Sequence, residues 1–452
     1  MATTSIALTP QNGNSSVLAI NCGTSTPKLS GTVDISAFSN LITLVCVNND
    51  ITVLTSGGSN TKVEYIDVSF NKINGVIPTP STSPVLRHVD VRNNLISGSI
   101  PSFNPFSSSI QYFDCQNNLI TGSIPTLNTP ALRVFIADNN QITGSMPSLS
   151  SCGQLYWFYA NNNQITGSIP SLNSNGVLNV FAIANNNITG SIPSLSNNSI
   201  LLIFSVQNNQ LTGSIPSLSS NTKLVFFLAG GNLLSGSIPS LTNNVDLEYF
   251  IANDNLLTGS VPSLSANTKL KQFIVNNNQL SSSLPNFSSN GLLQAVFLSS
   301  NLFSGTIPSL AANTNLEYYR VDTNFNITGN IPSLDANTKL IQFWAFFTRI
   351  SGNIPNLSNN IVLNNFNVRG CNLTGFASGA GVSASLSDFQ AQDNYLTQSA
   401  VNAILAAFVA AGRTSASGPC VLNLGGYNAA PSGQGITDKA TLIERGWTVT
   451  TI

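Results

Sequence analysis

Apolar and polar residues follow one recurring phrase along almost the whole chain. Its first half places apolar residues at the first, fourth and sixth positions and asparagine at the ninth, as in LLIFSVQNN at 201–209. Its second half ends in a glycine and an apolar–proline pair, as in LTGSIP at 211–216. Thirteen such prolines run from Pro78 to Pro355, and nine of the twelve intervals between them are 23 residues long. Repeats this short stack into one body with a continuous core rather than forming separate domains.

Each repeat predicts one short β-strand. Two apolar residues that lie two apart, such as Phe204 and Val206, share one face of a strand and line the core, while their neighbours point to the other face. The asparagine that follows, Asn209 in this copy, can bond backbone groups where the chain leaves the strand. Stacked copies therefore predict an internal asparagine ladder from Asn49 to Asn301.

The strand phrase LxxLxLxxN occurs in 16 copies, the first starting at Leu41 and the last at Leu386. It resembles the signature of leucine-rich repeats, and the LxGxIP continuation is similar to that of the plant-type class. The resemblance covers roughly residues 29–396. It implies a β-rich solenoid, curved as a right-handed horseshoe or arc, with a parallel sheet on the concave side and mostly turns and 3-10 pieces on the convex side.

Both ends of a repeat array need caps, because an uncapped end exposes the core. After Leu396 the pattern predicts a helix to Ala411, a strand at VLNLGG, a short helix from Asp438 to Arg445 and a last strand at WTVTT. We therefore expect an N-terminal cap over residues 1–40, a solenoid of about 16 repeats over 41–396 and a small α/β capping region over 397–452.

The chain carries very little charge. Only 7% of its residues are charged, and 16 basic against 17 acidic side chains give a formal net charge of −1. Nucleic-acid binding needs a basic excess that neutralises phosphates, and binding to an anionic membrane surface needs a basic cluster. Neither nucleic acid nor membrane is therefore an expected partner. The first residues lack the basic and apolar regions of a secretory signal, so we expect none there.

The six cysteines are scattered, with neither a CxxC pair nor metal-ligand spacing; they are Cys22, Cys46, Cys115, Cys152, Cys371 and Cys420. Small buried thiols are the expected role. A Cys22–Cys46 bridge at the N-terminal end is the one pairing considered, and the sequence leaves it open.

The sequence contains no recognisable catalytic constellation. The single histidine, His88, lies two residues before Asp90 on a predicted strand, but no nucleophile motif accompanies the pair and the repeat frame already explains their spacing. Phosphate-loop and metal-helix motifs do not occur. A depolymerase would need paired carboxylates in a groove, and Asp67, Asp90 and Asp114 do line up on successive strands. We interpret these three as a polar, receptor-contacting patch and predict a non-enzymatic protein without cofactor or metal.

The residues that flank each strand's buried centre predict a binding face on the concave side. They are polar or charged in the first copies and mainly apolar or aromatic from about residue 134 to 300. Exposed apolar area of this extent marks an interaction surface, and the scarcity of carboxylates there favours a protein over a sugar. The predicted binding residues are Tyr112, Trp157, Tyr159, Phe226, Tyr249, Ile251, Phe297, Tyr318, Trp344, Asp67, Asp90 and Asp114.

The closing segment, GGYNAAPSGQGITDKATLIERGWTVTT, resembles the C-terminal ends of leucine-rich-repeat proteins encoded by bacteriophages and some bacteria. This resemblance implies a surface-exposed virion component in the tail, neck or capsid, assembled in the host cytoplasm and acting as a fibre, decoration or host-attachment module. Its expected partners are other virion proteins or a host surface receptor, and a homo-oligomer is expected. The alternative is a bacterial cell-surface adhesin.

Overall fold

The computed structural model describes residues 17–23, 28–56, 60–77, 83–104, 108–414 and 418–452. The chain divides into two compact units, Met1–Leu224 (unit 1) and Val225–Ile452 (unit 2).

Unit 1 consists of short strands joined by turns. In chain order they are β1 (Ala19–Asn21), β2 (Ser30–Asp34), β3 (Thr43–Val45), β4 (Asp50–Thr55), β5 (Tyr65–Asp67), β6 (Asn74–Gly75), β7 (His88–Asp90), β8 (Leu95–Ile96), β9 (Tyr112–Asp114), β10 (Val134–Ile136), β11 (Trp157–Tyr159), β12 (Val180–Ala182) and β13 (Ile203–Ser205).

Unit 2 continues the same alternation of strands and turns and ends in two helices. Its elements are β14 (Phe226–Leu228), β15 (Ser235–Gly236), β16 (Tyr249–Ile251), β17 (Leu256–Gly259), β18 (Gln272–Ile274), β19 (Gln279–Ser283), β20 (Ala295–Phe297), β21 (Leu302–Thr306), β22 (Tyr318–Arg320), β23 (Asn326–Thr328), β24 (Gln342–Trp344), β25 (Ser351–Ile354), β26 (Asn365–Asn367), β27 (Asn372–Phe376), β28 (Asp388–Gln390), α1 (Gln398–Ala411), β29 (Val421–Asn423), α2 (Gln434–Glu444) and β30 (Thr448–Thr450).

A parallel sheet of three-residue strands forms the main face of each unit. In unit 1 the order is β1, β3, β5, β7, β9, β10, β11, β12 and β13. In unit 2 it is β14, β16, β18, β20, β22, β24, β26, β28, β29 and β30. Equivalent residues of successive repeats stand directly opposite each other, as Phe135, Phe158 and Phe181 do. The predicted stacking of repeats into a solenoid is therefore confirmed in both units.

The centre of each strand supplies an aromatic column to the core. In unit 1 the rings of Phe113, Phe135, Phe158, Phe181 and Phe204 are fully buried, and consecutive ring centroids lie 5.2 to 5.8 Å apart. Aromatic pairs at such distances contribute about 0.5–1.5 kcal/mol each beyond their burial. The column therefore sets the register of the repeats as well as filling the core.

The asparagine ladder that the sequence predicts is present. Asn118 illustrates it: its Nδ2 donates to the carbonyl oxygens of Val91 and Cys115, and its Oδ1 accepts from the backbone N–H of Ile96. The asparagine thus bonds the preceding repeat and its own turn at once. In unit 2 the ladder extends beyond Asn301, and Thr348 takes an asparagine position by donating its hydroxyl to the carbonyl of its own turn.

A second asparagine ladder, which the strand phrase does not predict, lies on the opposite side of the core. Asn198 is fully buried, and its Nδ2 donates to the carbonyl oxygens of Leu172 and Asn175 in the preceding repeat. It occupies the position that Asn221 has in SSNTKL at 219–224, a polar stretch whose composition is typical of a surface turn. Stacking buries it, because the turns of adjacent repeats cover each other. The same bonds recur at Asn267 and Asn290 in unit 2.

The C-terminal elements follow the predicted order of helix, strand, helix and strand. Helix α1 begins after Thr397, whose hydroxyl accepts from the N–H of Ala400, and ends at Gly412, where φ is +76°. Helix α2 begins at Gln434 rather than at the predicted Asp438. The extra turn of α2 packs on α1 through Gly435, because a larger side chain there would collide with Asn402. Among the described residues, neither helix has the length and apolar content of a membrane span.

The N-terminal end carries a disulfide between Cys22 and Cys46, with Cα atoms 4.5 Å apart. The sequence left this pairing open, and the structure forms it because β1 and β3 are neighbours in the sheet. The other four cysteines are free and buried, as expected. The three-part division at residues 40/41 and 396/397 stays a prediction.

Candidate binding face of the sheet

In both units the side chains that flank each strand's buried centre point away from the core. They form the surface called here the open sheet face, which is the face that the sequence predicts to be concave. Most of the predicted binding residues are half-buried on it, namely Asp67, Tyr112, Tyr159, Phe226, Tyr249, Ile251, Phe297, Tyr318 and Trp344. Trp157 is 39% exposed, whereas Asp90 and Asp114 are only 3% and 0% exposed. The repeat pattern thus predicts correctly to which face each side chain points, but it does not predict how much of that side chain is exposed to water.

A column of stacked rings lies on the open sheet face of unit 1. His88 lies between Tyr65 and Tyr112, with ring centroids 4.0 and 4.2 Å away and ring planes within 7° of parallel. Its Nε2 is buried and has no hydrogen-bond partner. Burial lowers the pKa of His88 to about 4, so the ring is neutral at neutral pH. The arrangement makes His88 a stacking residue rather than a base that activates a nucleophile.

The three predicted aspartates lie in one row beside this column, and Arg92 covers two of them. One Arg92 nitrogen lies 3.2 Å from a carboxylate oxygen of Asp90 and 3.4 Å from one of Asp114. Asp114 also accepts hydrogen bonds from Tyr112 and Gln116. A ligand on this part of the face would meet Arg92 and the rings before these two carboxylates.

Burial, together with repulsion from Asp114, raises the pKa of Asp90 to about 7. Burial also raises the pKa of Asp114. Two carboxyl groups this close and this dry disfavour simultaneous ionisation. Asp90 and Asp114 therefore form an internal, pH-sensitive pair in the sheet.

Trp157 stands between two recesses of unit 1. The smaller, about 240 Å³, is bordered by Gln116, Ile136, Asp138 and Tyr159. Asp138 accepts a hydrogen bond from the backbone N–H of Asn161 at 2.6 Å, and burial raises its pKa to about 6. This recess combines an apolar floor with a carboxyl group that changes charge near neutral pH.

The larger recess, about 560 Å³, lies at the edge of the sheet where the chain enters the strands. Tyr156, Val177 and Ile200 line it with Trp157, and each is 37–40% exposed. The strand pattern does not predict these three residues, because each of them precedes its strand. The sequence does contain an indication of this recess, because Val177 and Ile200 are apolar at the position where the next repeat has Lys223.

The open face of unit 2 is built around stacked rings and one arginine. Phe226 and Tyr249 stack with centroids 4.7 Å apart. Further along, the guanidinium of Arg320 lies between the rings of Phe297 and Trp344, 4.4 and 4.3 Å from their centroids. Cation–π contacts of this kind hold the aromatic side chains in fixed positions on the face.

In the part of the chain that the structure describes, no group of three or more His, Cys, Asp and Glu side chains is arranged to hold a metal ion. What this face offers instead is ordered rings, short aliphatic side chains and a few fixed charges. Such a surface is suited to contact with another macromolecule.

Comparison with solved structures identifies the architecture. The chain is similar to the leucine-rich-repeat ectodomain of the plant membrane receptor kinase GASSHO1/SCHENGEN3 from Arabidopsis thaliana, with a TM-score of 0.72 and 25% identity, covering 93% of this chain and 51% of that chain. It is also similar to the plant peptide hormone receptor RGFR1, with a TM-score of 0.63 and 26% identity, covering 77% of this chain and 62% of that chain. The fold is a leucine-rich-repeat solenoid.

A bacterial solenoid shares this fold. The functional domain of InlJ from Listeria monocytogenes matches with a TM-score of 0.58 and 19% identity, covering 85% of this chain and 74% of that chain. The chain spans about half the length of the GASSHO1/SCHENGEN3 ectodomain. No family model matches the chain, and no curated protein matches its sequence. The likeness of the closing segment to bacteriophage-encoded proteins stays a prediction.

Proposed function

We propose that the protein is a non-enzymatic binding protein that holds a protein partner on the open sheet face. The observation that carries this proposal is the exposure of Trp157 and its aromatic and aliphatic neighbours. These side chains are apolar although they do not fill the core. Buried aromatic anchors supply most of the binding energy of protein interfaces. The ectodomains similar to this chain were solved with bound partners, CASPARIAN STRIP INTEGRITY FACTOR 2 in one case and RGF2 in the other.

The non-enzymatic part of the proposal is supported by the state of the aspartate row. A glycosidase needs one carboxyl group as acid and a second as base or nucleophile, both open to the substrate. Asp90 and Asp114 are instead buried and bonded to Arg92.

We further propose that the protein works as a virion component of a bacteriophage, exposed on the tail, neck or capsid and engaged in assembly or host attachment as a homo-oligomer. The resemblance of the closing segment and the nearly uncharged composition support this setting. The Cys22–Cys46 disulfide favours an oxidising environment outside the cell, which suits a particle surface. A bacterial cell-surface adhesin satisfies the same observation and is the second candidate.

Antibody labelling of purified particles and of host cells, viewed by electron microscopy, separates these settings. Label at a defined place on the particle is the expected result. Label confined to cells would favour the adhesin, and label on neither would contradict both.

Binding to a partner is tested on the surface, of the particle or of the cell, that the antibody labels. Fluorescently labelled chain should bind that surface, and Phe226→Asp should weaken the binding without unfolding the chain. Thr212→Asp, on an exposed flank outside the sheet face, is the matched control. Equal binding by the wild-type chain and Phe226→Asp would remove the proposed role of this face.

A further inference from the structure

The larger recess beside Trp157 interrupts two surface columns that carry charge elsewhere in the chain. The first column consists of the residue immediately before the first apolar residue of each strand phrase. It holds Val177 and Ile200 in unit 1 but Asp246 and Lys269 in unit 2. There, Lys269 Nζ lies 2.6 Å from Asp246 Oδ1. At Asp246 and Lys269 the column thus holds a solvated ion pair between successive repeats, whereas Leu292 and Val362 are further aliphatic members of it. Aliphatic side chains in the same place leave apolar area open to water.

The second column, two residues further along the chain, changes in the same way. In unit 2 it contains Glu248 and Lys271, paired at 2.7 Å. In unit 1 it contains Arg133 followed by Tyr156. Tyr156, Val177 and Ile200 lie on three successive repeats and line one connected recess of about 560 Å³. That volume lies within the range of natural ligand pockets.

The charge at the border of the recess has one sign. Arg133 is exposed, and its backbone carbonyl accepts from the N–H groups of Tyr156 and Trp157, which places its side chain at the recess. Among the described residues, its guanidinium forms no ion pair. The remaining lining is apolar apart from the amide of Gln154. The arginine therefore presents unused donors next to an apolar cavity.

We infer that this recess takes a large apolar side chain of a protein partner, and that Arg133 binds a carboxylate adjacent to that side chain in the partner's sequence. The apolar walls desolvate an aromatic or branched aliphatic group. The planar guanidinium matches a carboxylate and rejects a cation at the same place. The inference rests on the proposed function and adds to it the chemical class of the partner segment.

Two synthetic octapeptides test the assignment, Gly-Ser-Glu-Phe-Leu-Glu-Gly-Ser and its analogue with lysine in place of both glutamates. Each is titrated into the full chain carrying Trp344→Phe, so that tryptophan emission reports mainly on Trp157, since Trp447 is only 3% exposed. The glutamate peptide should bind about tenfold more tightly than the lysine peptide, and Arg133→Glu should invert the preference.

Ile200→Asn provides the second arm. It installs the residue type that Asn315 already carries in this column and adds no charge, so folding should be unchanged, and affinity for the glutamate peptide should fall about tenfold. Val362→Asn is the matched control, because Val362 occupies the same column in unit 2 and is 44% exposed; it should leave binding unchanged.

Equal affinity for the two peptides, absence of binding by both, or an unchanged affinity in Ile200→Asn would overturn the assignment of the recess. If the peptides fail while Phe226→Asp still abolishes binding to the labelled surface, the recess is wrong and the proposed function stands. If Phe226→Asp and Trp157→Asp both keep full binding to that surface, the proposed function itself fails.

Discussion

At the scale of single residues, the same strand position has different consequences in different repeats. Trp157 and Tyr112 both stand first in their strands, yet Trp157 is 39% exposed and Tyr112 is covered by the ring of His88. The strand determines which way the side chain points. The neighbouring repeats determine whether water reaches it.

Trp157→Asp should leave the fold intact and remove binding. Because the indole is substantially exposed, the free energy of unfolding should change by about 1 kcal/mol or less, while loss of an anchoring aromatic side chain should cost about 2–4 kcal/mol of partner binding. Thermal unfolding and binding to the labelled surface measure the two effects. Phe158→Ala, one residue along and fully buried, should instead lose about 3–5 kcal/mol of stability. An unfolded Trp157→Asp chain would place Trp157 in the core.

Asp90→Asn should stabilise the protein at high pH only. The folded-state pKa of Asp90 is raised from 3.8 to about 7, so the stability contributed by its protonated form is complete below pH 3.8 and is lost as the pH rises through about 7. Asparagine keeps the neutral form at every pH. The variant should therefore exceed the wild type by about 1–2 kcal/mol at pH 8.

The difference should vanish near pH 4, and urea unfolding at the two pH values measures it. Asp335→Asn, at an exposed carboxyl group, is the control. An advantage of Asp90→Asn that did not depend on pH would argue against titration of Asp90 in this range.

At the scale of elements, the strands are too short to be stable alone, and asparagine ladders join them to the turns. Each ladder residue satisfies backbone groups of two repeats at once, as Asn118 does. Buried backbone groups need partners, so the ladder position tolerates few other residues. Thr348 satisfies the carbonyl of its own turn with its hydroxyl and contacts Cys371 at 3.3 Å.

Asn118→Ala should destabilise unit 1 by about 1–3 kcal/mol, because the buried carbonyl oxygens of Val91 and Cys115 and the N–H of Ile96 lose their partner. Hydrogen exchange should show the loss concentrated at these amides and their neighbours. Gln164→Ala, at an exposed side chain, is the matched control and should change stability by about 0.5 kcal/mol or less. Equal effects of the two substitutions would mean that the ladder does not carry the stability assigned to it.

At the scale of the whole molecule, every repeat depends on its neighbours for a buried core. Each repeat buries its apolar face only against its neighbours, so the terminal repeats need a different closure. Unit 2 ends in two helices, and unit 1 begins with a disulfide between neighbouring strands.

Removal of the disulfide should weaken the N-terminal end first. Cys22→Ser with Cys46→Ser should cost about 2–4 kcal/mol, because the bridge spans 24 residues and restricts the unfolded chain. Hydrogen exchange should speed up in β1 and β3 and stay unchanged in α1. A reducing agent should reproduce the effect in the wild type and do nothing to the double variant. Uniform loss of protection in both units would contradict a local role.

The sequence by itself determined the repeat, the strand of each copy, the apolar residues of each strand that line the core, one asparagine ladder and the order of the C-terminal elements. These follow from a fixed spacing, because residues 23 positions apart must meet when identical units stack. Only the tertiary structure decided the second ladder at Asn198, the cover over Asp114, the Cys22–Cys46 bridge and the recess lined by Val177 and Ile200. Each of these depends on which side chains adjacent repeats place side by side, and a pattern read along one repeat does not contain that information.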